Sequence, residues 1–385
     1  MIFRCMFMAF LILLLPGCTT NKNENPKKMI FWNNVRRGTN IFNVHISRED
    51  IRIAKKYGIK FVRLSLDKWP TKRRDFLIGD ADNYMTLDQD DLTFLKKVLA
   101  IFEEEKMPVI ITMLGLPGCR WRQHNQGKDD SRIWHDSNYQ KQAIHFWKDL
   151  TRALRNYSII VGYNILNEPC PDILSNNSTS KREAQRVLYD FYVSVVSEIR
   201  EVEPNTPIIL DCAEYADPGM LRHLRPINDG AIIYSFHMYE PYEYTNHKND
   251  GKYIYPGTIN GKYWDKNDLE NYMKAVNDFQ RIHKIQSNRI LVGEFGGYRK
   301  QRGLPQYFED LIGIFEKNGW HWAFYAFREG SWDGMDYEIG DRRLPWSYWK
   351  AVERGETPTP PRDESSPRFA AIKRGLEHGE IRLLS

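Results

Sequence analysis

Cysteine is scarce in this chain, five in 385 residues, and no two of them stand in the C-x-x-C spacing of a zinc site. A disulfide framework is therefore excluded as the basis of the fold. An excess of charge is lacking too: 55 Lys and Arg against 50 Asp and Glu leave a balance of +5. Over this length that gives no electrostatic footprint for nucleic acid. There is no G-x-G-x-x-G to cradle a dinucleotide and no H-E-x-x-H to bind zinc, so neither a metal nor a cofactor is expected. Internal repeats and low-complexity linkers are missing. With 42% hydrophobic and 27% charged residues, the composition is that of an ordinary globular chain, which excludes disorder.

Only one run is long and apolar. Residues 2–15 read IFRCMFMAFLILLL, with Arg4 as the single charge. That is shorter than the roughly 20 residues of a membrane span and about the length of a signal-peptide core. Leu15-Pro16-Gly17-Cys18 follows at once, then a polar stretch from Thr19 to Lys28. This resembles the lipobox of bacterial lipoproteins, whose cysteine becomes the lipidated first residue. The resemblance implies a leader over 1–17, a lipidated Cys18 on a polar tether over 18–29, and a body over 30–385. It implies a membrane-anchored lipoprotein, in the periplasm or at the cell surface. The competing reading is a soluble secreted protein cut elsewhere. Cys119, Cys170 and Cys212 would remain, and they read as small buried apolar side chains.

Beyond residue 36 the chain alternates between short β-branched runs and amphipathic stretches. Runs at 60–64, 108–112, 158–163, 207–210, 231–236, 289–292 and 322–325 read as buried parallel strands, with a weaker first strand at 37–41. Between them lie helical patterns; the clearest puts Leu92, Leu95, Val98, Leu99 and Phe102 on one face. Others begin near Ser47, Asn138, Lys181, Lys266 and Leu304. Eight strands, each followed by a helix or a long loop, predict an α/β protein: a single (β/α)8 TIM barrel with enlarged βα loops. The competitor, a doubly wound sheet, would bring a Gly-rich turn that is absent. After the Pro- and charge-rich stretch 355–367, Phe369, Ile372 and Leu376 are spaced for a closing helix packed on the barrel.

In such a barrel the residues just after the strands surround one pocket, however far apart they lie in the chain. The fourth strand runs into Asn167-Glu168-Pro169, and the seventh into Gly293-Glu294-Phe295-Gly296-Gly297. A carboxylate at the end of a buried apolar strand is costly unless it is paired or working. Two carboxyls facing one pocket can cleave a glycosidic bond, one donating a proton and the other attacking the anomeric carbon or activating water. Taken singly, each motif could equally be a strand end or a flexible loop.

These motifs, with Val62-Arg63-Leu64 and Trp69 after the second strand and Ser235-Phe236-His237-Met238-Tyr239 on the sixth, resemble the cellulase-like glycoside hydrolases of family 5. The resemblance runs from Arg37-Gly38-Thr39-Asn40 to the final helix. It implies a retaining glycosidase acting on a β-linked glucan, mannan or related oligo- or polysaccharide. It also implies roles: Glu168 as acid/base, Glu294 as nucleophile, and Asn167 facing the sugar 2-hydroxyl. Arg63 and Tyr239 would hold Glu294 ionised, and His237 would line the site near Glu168. The chain departs from the family at Leu114, where a histidine is frequent, and in Phe324-Tyr325-Ala326-Phe327, where a tryptophan often floors the sugar site.

Aromatic residues make up 13% of the chain, including 11 Trp and 21 Tyr, and aromatic rings stack on the apolar C–H face of sugars. Trp69, Trp121, Trp134, Trp264 and Trp332 fall in segments expected on the pocket-side loops. Of these, Trp69, Trp134 and Trp332, with Tyr325, are the candidate substrate contacts; buried Trp is the plain alternative. The rival from another class is a non-catalytic carbohydrate-binding lipoprotein on a degenerate barrel.

Overall fold

The computed structural model describes residues 27–43, 45–122, 125–171, 181–329, 332–356 and 358–381. The eight β-branched runs become parallel strands: β1 (Arg37–Ile41), β2 (Phe61–Ser65), β3 (Val109–Thr112), β4 (Ile160–Asn164), β5 (Ile208–Asp211), β6 (Ile232–Met238), β7 (Ile290–Phe295) and β8 (His321–Phe324). Each pairs with its neighbours in chain order, and β8 returns to β1 with Arg37 opposite Trp322. The closed eight-stranded barrel is the expected one. The leader 1–17 and Cys18 lie outside the described residues. Among the described residues, no helix is long and apolar enough to cross a membrane.

Strand alternation makes two layers of core. Val62, Leu64, Val109 and Ile111 point outward, against helices whose apolar faces they cover. The helix Gln89–Glu105 buries the five residues its spacing picked out. It starts at Asp88, whose carboxylate accepts from the N–H groups of Asp90 and Asp91. Inward, Phe61, Ile110, Ile209, Ile233, Leu291 and Ala323 fill the lower barrel. Gly38 is required there: a Cβ on it would lie 2.5 Å from the Phe61 ring. The floor is plugged by the short helical segment Lys27–Asn33, which inserts Met29 and Trp32 into that cluster. The Trp32 indole donates to the Val161 carbonyl at 2.9 Å, and the Lys28 ammonium to the Tyr157 carbonyl and the Thr206 hydroxyl. Residues 28 and 29, the last two of the expected tether stretch, thus pack against the barrel floor.

The closing helix Pro367–Ile381 forms as expected, burying Phe369, Ile372 and Leu376 and packing on the helix Leu304–Asn318. A small antiparallel hairpin, Gly257–Ile259 with Lys262–Trp264, was not legible in the sequence. The enlarged loops are tied down. The buried Arg120 reaches Asp75 at 2.8 Å, Asp80 and Asp82 at 3.0 Å and Asp130 at 3.4 Å, joining the loops that follow β2 and β3. Such a network fixes loop shape because removing any partner strands a charge.

Candidate active site

Two residues above the apolar floor, the same inward rows become polar. Phe61 is followed inward by Arg63, Ile209 by Asp211, and Ile233 by Ser235 and His237. Arg63 is fully buried, and every arm of its guanidinium is used. Nη1 donates to Glu294 Oε1 at 2.6 Å and to Asn40 Oδ1 at 2.9 Å. Nε and Nη2 donate to Asn164 Oδ1 at 2.9 and 2.7 Å, and Nη2 also to Asn167 Oδ1 at 2.5 Å. Asp211 lies 3.5 Å from Nη2. One planar cation therefore sets the positions of five residues from four strands or their ends.

Glu294 stands on β7 itself. Strict alternation from the inward Leu291 would send it outward, away from the mouth. Register irregularities against β6 and β8 at this height place it opposite His237 and turn it inward. Its second oxygen accepts from the Tyr239 hydroxyl at 2.7 Å. Gly293, just before it, leaves room for its neighbours: a Cβ there would lie 2.6 Å from the Ser235 hydroxyl and 2.9 Å from His237 Nε2.

Glu168 sits after β4, past the buried Ile165 and Leu166. Its backbone takes φ of 49°, a left-handed conformation that costs a non-glycine residue on the order of 1 kcal/mol. The strain is held by Asp211, whose carboxylate accepts from the Glu168 N–H at 3.3 Å. Pro169 follows and prevents a helical continuation. The Glu168 side chain meets His237 Nδ1 at 2.8 Å.

The two carboxylates differ in surroundings. Burial, reinforced by the nearby Asp211 charge and opposed by Arg63, raises Glu168 to about 8. Burial also raises Glu294 above the usual carboxylate range, reinforced by the neighbouring Glu168 and opposed by His237, Arg63 and the Tyr239 hydrogen bond. Burial lowers His237, against the pull of Glu294 and Asp211, and raises Tyr239, whose hydroxyl donates to Glu294. Paired carboxyls with divergent environments are the arrangement that separates an acid from a base or nucleophile.

One donor atom each from Glu168, His237 and Glu294 lies within 4.8 Å of the others, a convergence that linear spacing could not reveal. These three could be taken for a metal set. Against that, the Glu294 carboxylate already holds a guanidinium and a phenol, so its charge is largely spent. One oxygen of Glu168 therefore lies within 4.8 Å of one oxygen of Glu294, an approach that suits the roughly 5–5.5 Å spacing of a retaining pair.

Above the pair opens a cleft of about 890 Å³, lined by Glu168, His237, Tyr239, Glu294, Tyr325, Trp332 and Trp121 among others. A smaller hollow of about 100 Å³ continues past Glu168, walled by Leu114, Trp121, Trp134 and Asn167. Tyr325 and Trp332 thus line the cleft. The Trp332 ring lies nearly parallel to Tyr298, 9° between planes, and its loop is anchored by Arg299, which donates from Nε to the Asp333 carbonyl at 2.8 Å. Trp134 reaches only the smaller hollow and packs edge-on against Phe191. Leu114 gives that hollow an apolar wall.

Trp69 is a correction. It is buried, packed edge-on against Phe76 and Phe94, and its indole donates to the Asn43 carbonyl at 2.9 Å. It serves the loop scaffold, not the cleft. Trp264 is likewise buried, in the hairpin. The sequence reading missed Asn40, Asn164 and Asp211. Their signal was present, a polar residue inward of apolar ones at period two, but only the Arg63 contacts reveal that they share one centre.

With this geometry in hand, residues 22–331 match the family described as cellulase (glycosyl hydrolase family 5). Endoglucanase C of Acetivibrio thermocellus is 23% identical over 328 residues, which is 77% of this chain and 87% of that protein. Among solved structures, an endoglucanase superposes with a TM-score of 0.64 at 22% identity, covering 90% of this chain and 99% of its own. Thermotoga maritima Cel5A, solved with cellobiose, gives a TM-score of 0.63 at 18% identity with the same coverage of both chains. At these identities the structural likeness carries the fold.

Proposed function

Because this chain belongs to glycosyl hydrolase family 5, and is therefore a glycosidase, we propose that Glu294 is its nucleophile and Glu168 its acid/base, acting on a β-glucan. The observation that carries the roles is the contrast between the two carboxyls. Glu294 is gripped by Arg63 and Tyr239, while Glu168, half-buried beside Asp211, has no cation on its carboxyl among the described residues and meets His237. In the first step Glu294 attacks the anomeric carbon as Glu168 protonates the departing oxygen. In the second, Glu168 takes a proton from water, which displaces the sugar from Glu294. The Asn167 side-chain oxygen is held by Arg63, which leaves its amide free to donate toward the sugar 2-hydroxyl. The β-glucan assignment draws on the activities named for the relatives, an endoglucanase and a cellobiose complex. A mere binder would have no use for so costly a pair.

Hydrolysis of a soluble β-glucan, followed by NMR from the first minutes, should release the β-anomer before mutarotation. Initial release of the α-anomer would mean inversion and overturn the mechanism. The rate should also follow a bell in pH. Glu168 must be protonated, so kcat/KM falls as pH rises through about 8. Glu294 must be ionised, so the acid limb lies above the ordinary glutamate value.

We also propose that the chain is anchored to a membrane through a lipid on Cys18, on the strength of the apolar run 2–15 and the motif that ends in that cysteine. Radiolabelled fatty acid should enter the wild-type chain and not Cys18→Ser; equal labelling of both would refute it.

A further inference from the structure

Tyr325 directly follows β8, and the fold has built support for its hydroxyl. The Tyr325 hydroxyl donates to Glu329 Oε2 at 2.9 Å, and Glu329 Oε1 accepts from the Lys68 ammonium at 2.7 Å. Glu329 is only 5% exposed, and a carboxylate so placed is costly unless a cation and a hydrogen bond compensate it. Lys68 comes from the loop after β2 and Glu329 from the loop after β8, with β1 between them in the barrel. Asn43, in the loop after β1, ties the two loops together. The Asn43 amide donates to the Arg328 carbonyl at 2.8 Å, and the Trp69 indole donates to the Asn43 carbonyl. The buried Trp69 thus helps hold the segment that carries Glu329.

We infer that Tyr325 is a specificity-determining residue: its phenol oxygen is locked as a hydrogen-bond acceptor for one hydroxyl of the sugar on the Glu294 side of the cleft. A phenol has one proton and an ionised carboxylate has none, so the direction of the Tyr325–Glu329 bond is fixed. With its proton committed, the phenol can only accept from a ligand. The residue is braced on both sides: Phe42 packs edge-to-face with the ring, centroids 5.3 Å apart, and the Tyr325 carbonyl accepts from the Tyr337 hydroxyl at 2.7 Å. Tyr325 lines the large cleft with Glu294 but not the smaller hollow beyond Glu168, which places it with the sugar that Glu294 attacks. Glu329 and Lys68 are positioning residues that act through it. A tryptophan in its place would supply a stacking face and, at most, a donor.

The inference rests on the glycosidase reading above, and the test separates the two. Wild type and Tyr325→Phe are compared on an aryl β-glucoside series in which each hydroxyl of the glycone is replaced in turn by hydrogen and by fluorine. Fluorine can accept a hydrogen bond but cannot donate one. On the parent glycoside, Tyr325→Phe should lose about three- to tenfold in kcat/KM, the net worth of one hydrogen bond. At a single position the hydrogen and fluorine analogues should abolish that difference, so that wild type and variant run at equal rates. Glu329→Gln, which lets an amide donate to the phenol, should blur the discrimination at that same position while retaining activity. An equal deficit of Tyr325→Phe across the whole series, or none on the parent, would overturn the inference while leaving the glycosidase reading intact. A wild type inert on the entire series and on soluble β-glucans would overturn both.

Discussion

Glu294→Gln should fold as the wild type does and lose activity by about 10,000-fold or more, the scale seen when the nucleophile of a covalent mechanism is removed. The fold is spared because the amide oxygen can still accept from Arg63, which meets the wild-type Glu294 oxygen at 2.6 Å. Chemistry is lost because an amide oxygen does not displace the leaving group. Glu168→Gln should behave differently. General acid–base help is worth about 100- to 10,000-fold, and much of it is recovered when the leaving group needs no proton. On an activated aryl glycoside, the first step should survive in Glu168→Gln while the second stalls, giving a burst of phenol. Added azide, which needs no base, should then restore turnover and yield a β-glycosyl azide. In a Glu294 variant azide cannot produce that β-product by this route. A Glu294→Gln enzyme of wild-type rate, or a β-azide from it, would refute the assignment.

Arg63→Met should damage stability as well as activity. Arg63 is fully buried between Glu294 at 2.6 Å and Asp211 at 3.5 Å. Without it, two buried carboxylates share one centre with no cation, a loss of about 3 to 5 kcal/mol for a broken buried pair. The deficit has a pH signature. Arg63 lowers the protonation tendency of both Glu168 and Glu294, so its removal raises both carboxyls further above their unfolded values. The folded variant then binds more protons than the unfolded chain, and its stability falls as pH rises between the unfolded and folded values. Urea midpoints for the variant should therefore approach wild type in acid and separate from it toward neutral and alkaline pH. Arg63→Lys should recover part of the stability and little of the activity. A point charge can pair with Glu294 but cannot also fork to Asn40, Asn164 and Asn167. A pH-independent deficit would show that packing, not charge, accounts for the loss.

Both predictions concern residues that were visible in the chain. Glu168 and Glu294 stood out because a carboxylate directly after an apolar strand has few structural excuses. Arg63 was reached through the resemblance of Val62-Arg63-Leu64 to family 5, not from its place in the run. Asn40, Asn164 and Asp211 did not, because a polar residue on a strand gives no hint of which partner faces it across a barrel. Trp69 and Trp332 look alike in sequence, each in a loop after a strand. One is packed between Phe76 and Phe94, and the other lines the cleft. The difference lies in which loop wraps inward, and that depends on contacts such as Arg299 with Asp333 and Arg120 with its four aspartates.

By itself the sequence determined the alternation of strand and helix, hence the barrel. With the barrel came the gathering of strand ends into one pocket, and with it the two carboxylates. These follow from period and burial, which are local. Only the tertiary structure decided how the carboxylates differ, since an acid and a nucleophile of the same residue type are told apart by their neighbours. The irregular register that turns Glu294 inward, the strained backbone of Glu168 beside Asp211, and the Lys68–Glu329 support under Tyr325 all join segments distant in the chain. Electrostatics acts through space, and distances through space are what a linear pattern does not contain.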